Sequence, residues 1–256
     1  LTARNTTVIP GMLAYVNKFL TTDTELLSTL IEKTKTNCPF CPENARTKTP
    51  MFIKDFLPEG RIYVGDATII PNLTGHAEKS ILAILSKQHY LKLSEFTPEM
   101  ILNAFQGATT YLAKLTKAEP NVKYPVFAFN YLPPAGSSMF HPHMQILVRD
   151  RPFYLTKLML EKSKIYYETH NTNYWSDLVA TEKQGQRHLV AISGVEWITP
   201  FAPLRGMNEV QAVVNSKSNL LELTDENWTG LAKGISQTLK FYHKQGYLSF
   251  NIVLLS

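Results

Sequence analysis

The chain has only two cysteines in 256 residues, and they stand close together in Cys38-Pro39-Phe40-Cys41. That count excludes the disulfide framework of a small secreted domain. Long apolar runs are also missing. None reaches the 18 or so residues that a membrane-spanning helix needs, so no membrane association is expected. The opening residues Leu1-Thr2-Ala3-Arg4-Asn5 include neither an initiator Met nor the apolar segment of a secretory signal. A trimmed N-terminus and a reducing, cytoplasmic compartment are the expectations. Blocks of one charge sign are absent too. The basic residues are scattered, and Lys157–Lys164 reads as the solvated face of a helix. A net charge of +5 suits an anionic small molecule, and with no nucleic-acid-binding motif beside it, nucleic acid is not an expected partner.

What the chain does have is apolar and aromatic residues in plenty. Hydrophobic residues make up 44% of it, with 13 Phe, 12 Tyr and 3 Trp, which excludes a disordered chain and allows one large domain or two fused smaller ones. Two segments repeat each other. Ser86-Lys87-Gln88-His89-Tyr90-Leu91-Lys92-Leu93-Ser94-Glu95 lines up with Ser216–Asp225 at an offset of 130 residues, placing Asn219 opposite His89. An apolar run precedes each copy, Ser80–Leu85 and Val210–Val214. A helical spacing follows each, carried by Ile101, Phe105, Leu112 and Leu115 and then by Trp228, Leu231, Ile235 and Leu239. Thr97 before Pro98 reads as the cap and first position of the first helix. A strand containing Phe-Asn comes next in each case, Val126–Asn130 and Leu248–Ile252. The repeat predicts a duplicated α+β fold with antiparallel sheets covered by helices. Its first half is residues 1–150 and its second, degenerate half is residues 151–256. Between the copies the pattern predicts a helix from Pro152 to about His170 and strands near His188–Ser193 and Glu196–Pro200.

The halves differ where chemistry would sit. Only the first runs on through Ala135-Gly136-Ser137-Ser138-Met139-Phe140-His141-Pro142-His143-Met144-Gln145; the equivalent positions of the second would fall beyond Ser256. A neutral imidazole is a good nucleophile near pH 7. Gln145 can donate a hydrogen bond without adding charge. The Gly136-Ser137-Ser138 turn offers N–H groups and hydroxyls to an oxyanion. This is the composition of a phosphoryl-handling site with a histidine as attacker. On one strand His141, His143 and Gln145 would share a face, but Pro142 removes a ladder donor, so the regular strand is expected to begin after it. Cys38, Cys41, His89 and His141 stand out as candidate metal ligands, because four N/S donors suit zinc and Cys-x-x-Cys supplies two from one turn. A redox dithiol or two inert thiols are the other readings of that pair. His76, His170, His188 and His243 carry no motif.

At this point the residues resemble a known family. Asn37-Cys38-Pro39-Phe40-Cys41-Pro42-Glu43-Asn44, Ile70-Pro71-Asn72-Leu73, Phe129 through Gln145, and Pro200-Phe201-Ala202-Pro203 are similar to galactose-1-phosphate uridylyltransferase and its relatives in the histidine-triad superfamily. The resemblance implies a histidine-triad-like fold duplicated in one chain, acting in galactose and wider carbohydrate metabolism. It implies that His143 attacks the α-phosphorus of a nucleoside-diphosphate sugar such as UDP-glucose. Hexose 1-phosphate leaves, and a second hexose 1-phosphate takes the nucleotidyl group in a ping-pong cycle. Gln145 would donate to a phosphoryl oxygen, at a position where hydrolytic relatives carry a third histidine. Ser138, Gly136 and Ser137 would hold the second phosphate, and Asn72 and Asn130 the nucleotide. Cys38, Cys41, His89 and His141 would hold a structural Zn2+ that fixes the loop carrying His143. Relatives of this kind form homodimers. Some transfer the nucleotidyl group to inorganic phosphate instead, as ADP-sugar and dinucleoside-tetraphosphate phosphorylases. A zinc-stabilised nucleotide-binding protein without turnover is the reading of another class.

Overall fold

The computed structural model describes residues 24–75, 77–204 and 208–255. Leu1–Asn5, His76 and Ser256 lie outside the described residues. The first half runs through α1 (Thr24–Lys35), α2 (Pro42–Lys48), β1 (Ile62–Val64), β2 (Ala67–Pro71), β3 (Lys79–Ile84), α3 (Pro98–Ala118), β4 (Tyr124–Tyr131) and β5 (His143–Arg149). The second runs through α4 (Tyr154–His170), α5 (Tyr174–Glu182), β6 (His188–Ile192), β7 (Val195–Ile198), β8 (Gln211–Val213), α6 (Asp225–Lys244) and β9 (Phe250–Leu254). The fold is α+β with antiparallel sheets, as the repeat predicts.

The two copies are visible as matching blocks of three strands, a short 3-10 turn, a long helix and a strand. Both helices start from a threonine cap. Thr97 Oγ1 accepts from the Met100 N–H, and Thr224 Oγ1 from the Asn227 N–H. The caps lie 127 residues apart, as do the 3-10 turns Leu93–Glu95 and Leu220–Glu222. The offset of 130 residues is therefore corrected by three. Matching Ser-Lys dipeptides sit in loops, where insertions are tolerated, whereas the caps are fixed by backbone hydrogen bonds. Asn219 consequently caps its own 3-10 turn by accepting from the Leu221 N–H, and is not a counterpart of His89.

The sheets do not divide at residue 150. Among the described residues the larger has six strands in the order β1-β2-β3-β5-β4-β9, and the smaller three in the order β6-β7-β8. Strand β9 comes from the second half but pairs antiparallel with β4, from Phe127↔Leu254 to Tyr131↔Phe250. One continuous core seals this joint. Phe250 packs edge-on against Phe129 at 4.8 Å, and Trp228 of α6 lies 4.9 Å from Phe105 and 5.6 Å from Phe127. The buried Ser236 hydroxyl donates to the Phe96 carbonyl at 2.7 Å, tying α6 to the loop before α3.

Each covering helix approaches its sheet through a glycine ten residues after its cap. A Cβ on Gly107 would stand 2.7 Å from Ile69 Cγ1, and one on Gly234 would stand 2.0 Å from the Trp197 indole. Both neighbours are buried, but the clash with the rigid indole is the deeper one. Gly234→Ala is therefore expected to destabilise by about 3 kcal/mol through overpacking, seen as a lower urea midpoint. Gly107→Ala is expected to do less.

Alternation along the strands decides which residues face the helices. Met144, Ile146 and Val148 of β5 enter the main core with Phe127 and Phe129 of β4 and Ile81 and Ala83 of β3. His143, Gln145 and Asn130 therefore sit on the opposite face. On that face Ile70, Leu82 and Ile84 form a smaller cluster with Cys38, Phe40 and Cys41. Among the peripheral elements, α4 shows the expected solvated lysines, with Lys157–Glu161 and Lys164–Glu168 as exposed ion pairs. No described helix is long and apolar enough to cross a membrane.

Candidate functional site

The cysteine pair is placed by local backbone chemistry. Cys38 ends the turn after α1, where its N–H donates to the Lys35 carbonyl. Cys41 is the cap residue of α2, with Pro42 pre-set at the first helical position. The far end of α2 is held by Arg61, a buried guanidinium that donates to the Arg46 and Thr49 carbonyls and to Thr49 Oγ1. This fixes the cysteine loop against the start of β1.

Cys38, Cys41, His89 and His141 converge, all buried, with their donor atoms within 4.8 Å of one another. His141 Nδ1 lies 3.7 Å from both sulfurs, and His89 Nδ1 lies 3.5 Å from Cys41 Sγ. Bonds of about 2.3 Å to sulfur and 2.0–2.1 Å to nitrogen in a tetrahedron give S···N edges of about 3.5 Å, so the spacing fits a four-coordinate ion. The other ring nitrogens are engaged. His141 Nε2 donates to the Ser86 carbonyl at 2.8 Å, and His89 Nε2 meets Thr34 Oγ1 at 3.0 Å. Both bonds orient the rings with Nδ1 toward the cluster, as supporting contacts to ligating histidines do. Burial, followed by the Cys38 thiol, pushes the Cys41 thiol up to about 12, and burial pulls His141 down to about 4. A neutral imidazole is the ligating form, and a bound cation compensates the charge that a buried thiolate would otherwise carry. The residues thus fit a metal ion.

Strand β5 begins at His143, directly after Pro142, as the missing donor requires. His143 is buried against Phe40, whose ring centroid lies 5.3 Å away. Its Nδ1–H donates to the His141 carbonyl at 2.9 Å, which leaves Nε2 as the lone-pair atom. Burial pulls the His143 pKa down, partly opposed by that hydrogen bond, so the ring is neutral near pH 7. A positive charge developing on an imidazole whose Nδ1–H points at a carbonyl is stabilised there. Gln145 lies two residues on along the same face and stands opposite Ala128 of β4 and Leu82 of β3.

The turn before the histidines is more committed than its composition suggests. The Gly136 and Ser137 N–H groups donate to the Pro133 and Leu132 carbonyls. The Ser137 hydroxyl is buried and donates to the Met139 carbonyl at 2.7 Å. Gly136 and Ser137 therefore shape the turn, and of its two serines Ser138 is the exposed one. Gly136 is at φ +85°, which an L side chain rarely adopts.

Asn130 shares the face of His143 on the neighbouring strand. Asn72 does not lie beside them. It follows β2, where its N–H bonds the Ser80 carbonyl, and Ser80 pairs with Leu147, four residues along β5 from His143. At about 3.3 Å per residue this puts Asn72 roughly 13 Å away along the strand direction. Its Oδ1 accepts from the Thr74 N–H and its Nδ2 donates to Ser80 Oγ.

Several residues have supporting roles that the motifs do not assign. Phe40, Ser86, Thr34 and Asn251 act through backbone carbonyls, ring contacts or cross-strand pairing, which spacing alone does not reveal. Of the histidines without a motif, His188 pairs with Glu196 at 2.8 Å, and the His170 ring lies tilted against Tyr166 with centroids 4.3 Å apart, in keeping with structural roles.

No family model matches the chain. An uncharacterized protein of Archaeoglobus fulgidus is 30% identical over 224 residues, which are 86% of this chain and 65% of that one. The chain thus spans just under two thirds of that relative's length. Among solved structures, an ADP-glucose phosphorylase from Arabidopsis thaliana with bound ADP-glucose superposes with a TM-score of 0.69 at 18% identity, over 85% of this chain and 72% of that one. A uridylyltransferase superposes with a TM-score of 0.58 at 22% identity, over 67% of this chain and 60% of that one.

Proposed function

We propose, from the galactose-1-phosphate uridylyltransferase-type fold that this chain adopts, that the protein is a nucleotidyltransferase working through a covalent nucleotidyl-histidine on His143. The observation that carries this reading is the His143 hydrogen bond. With Nδ1–H held by the His141 carbonyl at 2.9 Å, Nε2 keeps the lone pair needed for attack. Nε2 would attack the α-phosphorus of a nucleoside-diphosphate sugar, forming the P–N bond as the P–O bond to the sugar phosphate breaks. Hexose 1-phosphate leaves with that electron pair. A phosphate oxygen of the acceptor then attacks the same phosphorus, the P–N bond breaks, and the imidazole regains its lone pair. No proton is gained or lost on the histidine over the cycle.

In this reading Gln145 donates to a non-bridging oxygen, Ser138 contacts the second phosphate, and Asn130 and Asn72 contact the nucleoside. The offset of roughly 13 Å along the strand direction between Asn72 and His143 suits a nucleotide running along the strands, its base at one end and its α-phosphate at the other. Cys38, Cys41, His89 and His141 would hold Zn2+, which supplies a rigid anchor for the His141-Pro142-His143 segment. UDP-glucose with galactose 1-phosphate is the donor and acceptor pair we assign.

The similarity to a solved ADP-glucose phosphorylase over 85% of this chain supports a second reading, in which the donor is an ADP-sugar and the acceptor is inorganic phosphate. Intact mass spectrometry after mixing with UDP-glucose or ADP-glucose tests both. A uridylyl adduct discharged by hexose 1-phosphate supports transfer between sugar phosphates. An adenylyl adduct discharged by phosphate supports the phosphorylase. Nucleotide binding without any adduct would overturn both in favour of a non-catalytic binding protein. Gln145→His is expected to fold normally, form the adduct at about one tenth of the rate or less, and shift toward hydrolysis. Unchanged transfer would remove Gln145 from the mechanism.

A further inference from the structure

Strands β4 and β9 set the two Phe-Asn sequences directly across from each other, with Asn130 opposite Asn251. The Asn251 amide nitrogen donates to Asn130 Oδ1 at 2.7 Å and to the Ala135 carbonyl at 2.6 Å. A carbonyl can only accept, so the Ala135 contact fixes which end of the Asn251 amide is nitrogen. Both hydrogens of that nitrogen are then used. Asn130 in turn must offer its oxygen to Asn251, which leaves its own Nδ2 as the donor for a ligand.

The second acceptor belongs to the turn Pro133–Ala135, which leads into Gly136 and Ser138. That turn is entered through Leu132, a buried residue at φ +64°, ψ 162°. L residues rarely adopt this region, and such a conformation persists only when the surroundings hold it. Asn251 supplies such a hold from outside the turn. It is exposed on β9, so its bonds add little to global stability.

We propose that Asn251 is a positioning residue. Through it the second half of the chain orients Asn130 and anchors the Pro133–Ser138 turn of the first half. This rests on the reading of Asn130 and Ser138 as ligand contacts. The second half thereby completes the first half's site.

Asn251→Ala removes both bonds. Asn251→Asp keeps the shape but turns an acceptor-only carboxylate toward two oxygens. Two readouts are used: affinity for UDP-glucose and ADP-glucose by calorimetry in a His143→Ala background, and the single-turnover adduct rate in otherwise wild-type protein. Both substitutions are expected to weaken binding about tenfold and slow adduct formation about tenfold, with Tm unchanged. Asn251→Asp should be no milder than Asn251→Ala. Combined with Asn130→Ala, either should add less than its effect alone, because Asn251 acts partly through Asn130. Affinity and rate within twofold of wild type would overturn the proposal. So would a wild-type-like Asn251→Asp, or a fall in Tm that accounts for the loss. If the parent protein binds nucleotide sugar but never forms an adduct, the covalent mechanism fails, and the affinity comparison still decides the role of Asn251. If neither sugar nucleotide binds the parent protein, both readings fall.

Discussion

His143→Ala is expected to form no nucleotidyl adduct with either UDP-glucose or ADP-glucose and to lose turnover by at least about ten-thousandfold. That is the scale of loss when a covalent nucleophile is removed. No described residue is placed to substitute for it. The His141 ring, two residues away, has Nε2 engaged by the Ser86 carbonyl and Nδ1 directed at the cysteines. The fold should survive, because among the described residues the side chain's contacts are a hydrogen bond to the His141 carbonyl and a ring contact with Phe40. A stability loss of about 1–2 kcal/mol is expected from so limited a truncation. Adduct formation by the alanine variant would remove His143 from the role of nucleophile.

The second large effect is expected from Cys41→Ser. Native protein should carry one zinc per chain by elemental analysis, and the variant should carry little. A structural zinc contributes folding free energy directly, on the scale of about 10 kcal/mol in small peptides, though a domain with its own core depends on it less. A loss of about 3–5 kcal/mol is expected, lowering Tm by roughly 10 °C. Transfer should also fall, although Cys41 touches no reacting atom in the proposed mechanism. His141 would lose its anchor, and the carbonyl of that residue holds the nucleophile's Nδ1–H. Full zinc content in Cys41→Ser, or unchanged Tm, would refute the ligand set.

Both effects concern residues that could be singled out along the chain, and the reason is local. Cys-x-x-Cys places two donors in one turn, and His-Pro-His must break a strand ladder at its proline, so each motif constrains its own geometry. The helices α3 and α6 were legible for the same reason. A threonine cap and a 3.6-residue apolar period are properties of neighbouring residues. The strands expected at Val126–Asn130 and Leu248–Ile252 stand at Tyr124–Tyr131 and Phe250–Leu254, the last of them two residues further along the chain.

Pairing was not legible. That β9 joins the first half's sheet beside β4, and not the second half's own sheet, depends on contacts between residues about 120 apart, and no local pattern encodes them. The repeat offset differs between sequence and structure for a related reason. Identical loop residues carry less structural information than the caps and glycines that hold each helix on its sheet.

The sequence by itself determined an α+β duplication, its two long covering helices, a metal-competent set of two cysteines and two histidines, and a histidine that starts a strand. Those follow from hydrogen-bonding and rotamer preferences acting within a few residues. Only the tertiary structure decided that the four donors converge, that the Gly136 and Ser137 amides are closed into their own turn, and that Asn251 reaches across from the other half. Each of these depends on which apolar faces are buried together, a choice made by the whole core at once.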